Sequence, residues 1–178
     1  MLSNLSKIWE RVVKAKLTSF CVRRNLIPGN QFGFMRARSA VHSLMLFGDK
    51  ITKGLNKGEP SLAVSLDIMK VFDSVDASLL VAKLMKFGVE KHLCKIVLNY
   101  LLGRRFRVPI GDDVSEWKRA RAGVPQGSVL APTLFIMFIS DIPTTPAGVE
   151  IFSFADDQLV VANDKEVASG QREMIIVI

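Results

Sequence analysis

Two apolar stretches of this chain run into aspartate where a strand would have to end. Ser61-Leu-Ala-Val-Ser-Leu is β-prone and polar only at its serines, and it stops at Asp67. Further on, Val149–Phe154 and Gln158–Val161 flank Ala155-Asp156-Asp157. Short apolar runs bounded by turn-forming residues predict a largely buried strand in the first case and a hairpin in the second. Aspartate suits a strand interior poorly, and neighbouring carboxylates repel one another. Any fold for this chain must therefore bring these acids to strand ends and hairpin tips. Arg105–Ile110 and Ser115–Ala120, around Gly111-Asp112-Asp113, predict a second hairpin. Hairpins make antiparallel sheet. A doubly wound nucleotide fold would instead need repeating βαβ units and a Gly-x-Gly-x-x-Gly turn, which this sequence lacks.

Between these segments the apolar period is helical. Leu5, Ile8, Trp9, Val12, Val13, Leu17 and Phe20 recur at helix spacing over residues 5–22, with Lys7, Arg11, Lys14 and Lys16 on the other faces. Pro28-Gly29-Asn30 breaks the pattern, and a second helix is expected from Ala40 to Leu55. Asp76 is placed to cap a helix closed by Gly88, and further helices are expected over 91–102 and 129–141. The expected class is α+β, an antiparallel sheet with helices packed on it.

Charge separates the chain into two parts. Residues 1–58 hold eleven Lys and Arg against Glu10 and Asp49, so a chain of net charge +7 carries a net −2 in its remaining 120 residues. The total charge suggests a polyanionic partner, while the basic first third, on charge alone, reads first as solvated helix faces. With 49% hydrophobic residues the chain is not disordered. Two cysteines, Cys21 and Cys94, make no disulfide framework and favour a reducing, intracellular setting. The longest apolar run, Val129–Ile139, contains Pro132 and is too short to span a bilayer. The N-terminus lacks a secretory core, so a protein of nucleus or cytoplasm with no membrane partner is expected.

Asp67, Asp156 and Asp157 are the candidate chemistry. Adjacent aspartates are ordinary turn formers. A set of hard oxygen donors with positions left open for phosphate and water also describes a Mg²⁺ site, and two such ions can activate a hydroxyl and stabilise a leaving phosphate.

Four motifs in order, with a helix before them, carry a family resemblance. Ser65-Leu-Asp-Ile-Met-Lys-Val-Phe-Asp-Ser-Val-Asp76, Gly123-Val-Pro-Gln-Gly-Ser-Val-Leu-Ala-Pro132 and Phe154-Ala-Asp-Asp157 resemble three motifs of reverse transcriptases, in the non-LTR, LINE and jockey-like variant. Gln31-Phe-Gly-Phe-Met-Arg-Ala-Arg-Ser39 resembles the fingers motif of that group, and Ser6-Lys-Ile-Trp-Glu-Arg-Val-Val13 the helix before it. The resemblance implies a right-hand polymerase with partial fingers over 1–60 and a palm core over 61–163. It also implies a fingers-like insertion around 104–122, a divergent tail over 164–178 and no thumb. It implies RNA-directed DNA polymerase activity: attack of a DNA primer 3′-hydroxyl on the α-phosphate of a dNTP, templated by RNA, with two Mg²⁺ ions, or Mn²⁺ in their place.

Residue by residue, Asp67 matches the first catalytic aspartate and Asp156 and Asp157 the hairpin pair, with the backbone carbonyl of Ile68 assisting in the metal set. Phe72 matches the position that excludes ribonucleotides, and Gln126 and Gly127 the loop beside nucleotide and template. Arg36 and Arg38 are candidates for the triphosphate, since a guanidinium fork suits phosphate oxygens. Arg38 falls on a family arginine, Arg36 lies one place off, and Met35 stands where the group has arginine. Arg104, Arg105 and Arg107 are candidate nucleic-acid contacts, with a soluble charged edge as the alternative. The resemblance further implies that the isolated chain is inactive without a thumb. The alternative function is a non-catalytic nucleic-acid-binding remnant of a transposon.

Overall fold

A computed structural model describes residues 4–67, 71–141, 145 and 148–163. The expected tail, 164–178, and Ile68 lie outside the described residues. In chain order the elements are helices α1 (Asn4–Arg24) and α2 (Ala40–Asn56), strand β1 (Ser61–Leu66), and helices α3 (Val71–Ser74), α4 (Ala77–Lys86) and α5 (Lys91–Leu101). Four two-residue strands follow: β2 (Arg105–Phe106), β3 (Pro109–Ile110), β4 (Asp113–Val114) and β5 (Lys118–Arg119). Helix α6 (Ala131–Phe138) and strands β6 (Val149–Phe154) and β7 (Asp157–Asn163) complete the described chain. The chain forms two compact units, each assembled from two separate segments: residues 1–26 with 70–139, and 27–69 with 140–178.

In the first unit α4 packs on α5 and α6, and α1 packs on α6. Leu17, Leu80, Leu84, Val97, Leu130, Leu134 and Phe135 are fully buried there. Asp76 caps α4 as its position predicts, its carboxylate accepting the Leu79 N–H at 2.7 Å. Helix α1 forms where expected but buries a different face. Leu5, Ile8, Trp9 and Val12 are exposed, whereas Glu10, Val13, Leu17 and Cys21 are buried. Those four lie at steps of three, four and four residues, one helical stripe that begins with a carboxylate. The first hairpin is also more broken than expected: β2 pairs with β5 and β3 with β4, as two separate ladders. Helix α6 starts two residues later than the apolar run, at Ala131, with Pro132 in its first turn.

Glu10 explains the shifted stripe. Its Oε2 accepts the N–H groups of Val129 at 2.6 Å and Leu130 at 3.1 Å, directly before α6. A helix N-terminus leaves donors that no intrahelical carbonyl can satisfy, and here a side chain from another helix accepts them. Ser128 Oγ accepts the Ala131 N–H at 2.9 Å. Among the described residues, Glu10 Oε1 and Tyr100 Oη are buried without hydrogen-bond partners. Burial, with Glu10 nearby, pushes the Tyr100 phenol up from 10 to about 12. A raised folded-state value means stability is retained below pH 10 and lost as pH rises through about 12. Because Tyr100 is the chain's single tyrosine, absorbance titration of tyrosinate reads it without interference. Tyr100→Phe is expected to leave stability at neutral pH unchanged or raised, and to remove that part of the alkaline loss in denaturation melts.

The second unit is a three-stranded antiparallel sheet in the order β1-β7-β6, with α2 packed against it. Its core gathers Phe32, Phe152 and Val161, with Phe47, Ile51 and Leu159 against them. Strand β1 is not the largely buried strand expected. It lies at one edge of the sheet, and Ala63 and Ser65 are exposed while the central strand β7 is mostly buried. Ser39 caps α2 by accepting the His42 N–H. At Gly54 α2 lies close against the sheet: a Cβ there would meet Asn163 Nδ2 at 2.6 Å and Ser61 Oγ at 2.9 Å.

Cys21 and Cys94 are free and buried, and burial pushes the Cys21 thiol up to about 11. Among the described residues no helix is long and apolar enough to cross a membrane.

Candidate active site

The sheet register brings the sequence-distant acids together in the second unit. Strand β1 runs antiparallel to β7, with Leu66 opposite Gln158. Continuing by one residue sets Asp67 across from Asp157. Strands β6 and β7 are joined by Ala155-Asp156 alone, since Phe154 pairs with Asp157. The three carboxylates thus share one end of one sheet. Asp67 and Asp157 are exposed and Asp156 is half-buried. Among the described residues no hydrogen bond or ion pair engages any of the three carboxyl groups. Also among those residues, no three His, Cys, Asp or Glu side chains are gathered closely enough to enclose a metal ion.

The hairpin turn is gripped from outside by a segment whose part in it local sequence pattern does not reveal. Ala155 sits at φ 58°, the left-handed conformation that a two-residue hairpin loop demands and that alanine adopts reluctantly. Gln31, 2% exposed, brackets it. Its Oε1 accepts the N–H groups of Ala155 at 2.9 Å and Gly33 at 2.8 Å, while its Nε2 donates to Ala155 O at 3.2 Å. The backbone around Gln31 runs beside β6: Phe32 N–H donates to Ser153 O at 2.7 Å, and Ser153 N–H to Asn30 O at 2.9 Å. Across the hairpin, Ser153 Oγ donates to Gln158 Oε1 at 2.6 Å. The turn is thus held by its backbone and by neutral side chains, which leaves the Asp156 and Asp157 carboxylates out of its scaffold.

Gly33 is required by this approach. A Cβ there would fall 2.1 Å from Ala155 N and 2.7 Å from its Cα. Gly33→Ala is expected to cost on the order of 1–3 kcal/mol in chemical denaturation, through forced displacement of backbone. Gly29→Ala, with nothing within 4 Å of the added methyl, is the control and should be close to neutral.

The loop after Gly33 carries the two candidate arginines. It turns through left-handed residues at Phe34 (φ 56°) and Ala37 (φ 60°). Arg38 is already engaged: its Nη1 donates to the carbonyls of Pro28, Gly29 and Gln31, and its guanidinium lies 5.7 Å from the Phe32 ring centroid. Arg36 is exposed.

The remaining candidates lie in the first unit. Gly123 N–H donates to Val75 O at 2.8 Å and Val124 N–H to Phe72 O at 2.7 Å, which lays the Gly123–Gln126 loop along the segment that contains Phe72. Gln126 Nε2 donates to Asp73 Oδ1 at 3.2 Å. Gly123, at φ 86°, has no space for a side chain, since a Cβ would meet Asp73 Cα and Phe72 O at 2.8 Å. The Phe72 ring packs 4.7 Å from that of Phe135. Arg104 ties the start of this loop to α5, donating from Nε to Leu101 O and from Nη2 to Ala122 O and Gly123 O. Arg105 and Arg107 are exposed on the hairpin.

A family model described as "Reverse transcriptase (RNA-dependent DNA polymerase)" matches residues 1–177. Among curated proteins, the chain is 31% identical to a probable RNA-directed DNA polymerase from transposon BS of Drosophila melanogaster, over 98% of this chain and 20% of that protein. It is 33% identical to the RNA-directed DNA polymerase from mobile element jockey of the same fly, again over 98% of this chain and 20% of that protein. The chain thus spans about a fifth of the length of these relatives. Among solved structures, telomerase from Candida albicans, in complex with a fragment of telomeric RNA, superposes with TM-score 0.62 at 13% identity over 94% of this chain and 32% of that one. Apo telomerase from Candida tropicalis does so with TM-score 0.61 at 14% identity, over 89% and 34%. The backbone shares the fold of these telomerases, and with a family model matching nearly its whole length the chain belongs to the reverse transcriptase family, in the group of non-LTR retrotransposon RNA-directed DNA polymerases.

Proposed function

We propose that this chain carries the nucleotidyl-transfer centre of an RNA-directed DNA polymerase that extends a DNA primer with dNTPs on an RNA template. The observation that supports this reading most is the register that sets Asp67 beside the Asp156–Asp157 turn. In this reading residues 1–60 are fingers and 61–163 palm.

The acids suit a divalent cation. They supply hard oxygen donors free of any protein cation among the described residues. Mg²⁺ characteristically binds through one or two carboxylates and completes its shell with water and substrate phosphates, so a closed protein cage is not required. Asp67 and Asp156 would hold the ions, with Asp157 adding ligand or field. Bound there, Mg²⁺ lowers the pKa of a coordinated hydroxyl and neutralises charge on phosphate oxygens.

The other residues orient. Gln31 fixes the turn that presents Asp156. Arg38 shapes its loop through backbone carbonyls, which leaves Arg36 as the guanidinium offered to a triphosphate. By the family's motif Phe72 is the position at which a planar ring would exclude a 2′-hydroxyl. Gln126 has both donor and acceptor groups for a base or sugar, and Gly127, at φ 75°, lets backbone approach closely.

The test is primer extension on an RNA template with dNTPs and Mg²⁺, paired with Mg²⁺-dependent dNTP binding, for the chain and for Asp67→Asn and Asp156→Asn. Both signals should fall in both variants. Unchanged extension and unchanged metal-dependent binding in the two variants would overturn the assignment.

A further inference from the structure

Helix α1 is apolar on two faces, and the first unit uses one of them. Glu10, Val13, Leu17 and Cys21 are buried, with Glu10 reaching the start of α6. Leu5, Ile8, Trp9 and Val12 form a second stripe, at the i, i+3, i+4, i+7 spacing that aligns side chains along one helix face. They are 80%, 59%, 42% and 55% exposed. Single apolar side chains scattered on a surface are ordinary, whereas four in one stripe mark a docking face. Trp9 is held as well as exposed, its ring centroid 5.8 Å from that of Tyr100. A positioned, half-open indole is the kind of side chain that carries binding energy at an interface.

The charge around this stripe has one sign. Helix α1 contains a single acid, Glu10, and its side chain is buried at the start of α6. Arg11, three residues beyond Ile8, and Lys16, four beyond Val12, are exposed neighbours of the stripe. Among the described residues neither forms an ion pair. The same face of a second copy would set cation against cation. A phosphodiester chain would meet the cations but leave Leu5, Ile8 and Val12 in water. An amphipathic helix with apolar residues on one stripe and carboxylates beside it answers both features. We propose that this face of α1 docks an acidic amphipathic helix of a partner protein, with Leu5, Ile8, Trp9 and Val12 against its apolar stripe and Arg11 and Lys16 against its carboxylates. Docking here needs no metal, nucleotide or template, so it stands or falls separately from the nucleotidyl-transfer reading.

Trp117→Phe leaves Trp9 as the chain's single tryptophan, so its emission reports on this face. The probe is a synthetic helical peptide with leucines at i, i+3, i+4 and i+7 and glutamates beside them. One control peptide carries lysine at each glutamate position, and another carries glutamine at each leucine position. The acidic peptide should shift Trp9 emission to shorter wavelength and bind about tenfold or more tighter than either control. Ile8→Ala with Val12→Ala should weaken binding about tenfold or more while the melting temperature holds, because both side chains are exposed. Arg11→Glu with Lys16→Glu should reverse the preference, so that the lysine peptide binds better than the glutamate one. That reversal keeps the test independent of overall stability. No binding of the acidic peptide, equal binding of the glutamate and lysine peptides, or unchanged affinity in the Ile8 and Val12 double variant would overturn the proposal. Sedimentation showing self-association that the same double variant loses would also overturn it, by assigning the face to a second copy. So would single-stranded RNA that displaces the peptide and fails to bind that variant.

Discussion

Asp67→Asn is expected to lower primer extension by about a thousandfold while changing unfolding free energy by no more than about 0.5 kcal/mol. In the proposed reading, the large kinetic effect follows from what a carboxylate would do for a metal at a reacting phosphate. Several kcal/mol of charge stabilisation are at stake, and each 1.36 kcal/mol is about tenfold in rate. The small effect on stability follows from position. Asp67 is exposed beyond the last paired residue of β1, and no hydrogen bond or ion pair among the described residues depends on it. Steady-state extension and denaturant unfolding on the same preparation check both halves. Loss of activity with equal loss of stability would mark Asp67 as structural.

Glu10→Ala is expected to do the reverse, costing on the order of 3–5 kcal/mol of stability. The substitution strands the Val129 and Leu130 donors at the start of α6, beside a side chain that is fully buried. Each buried donor left without an acceptor costs about 1–3 kcal/mol, and the emptied volume adds a further penalty. Glu10→Gln retains an acceptor oxygen and should recover part of the loss. Ile8→Ala, two residues away on the exposed face of the same helix, should be nearly neutral. Urea unfolding of the three variants separates the capping role from a general helix effect.

Glu10 also shows where local pattern fails. The apolar period of α1 correctly predicts a helix, because spacing alone creates an amphipathic face. It does not predict the buried face, because the decisive residue is a carboxylate whose partners lie more than a hundred residues away. The first hairpin breaks into two-residue strands for a related reason. A run of β-prone residues states a preference, whereas continuous pairing depends on what the strands rest against, and β2 to β5 are exposed throughout. Strand β1 departs from expectation in the same direction, its apolar residues suiting either a central or an edge position. By contrast, Asp76 as a cap and Ala155-Asp156 as a turn depend on chemistry within a few residues, and both are legible in the chain.

Local order along the chain is enough for the helices, for the antiparallel hairpin with its acids at the turn, and for membership of the reverse transcriptase family through four motifs in order. Each of these is encoded in residues close together or in short fixed patterns. Folding in three dimensions was needed to show that Gln31 and Gly33 grip Ala155, that Glu10 caps α6, and that Arg38 and Arg104 are bonded to backbone carbonyls. The physical reason is shared. A hydrogen bond depends on distances of a few ångströms between groups set by the path of the whole backbone, and local spacing carries no information about such a distance.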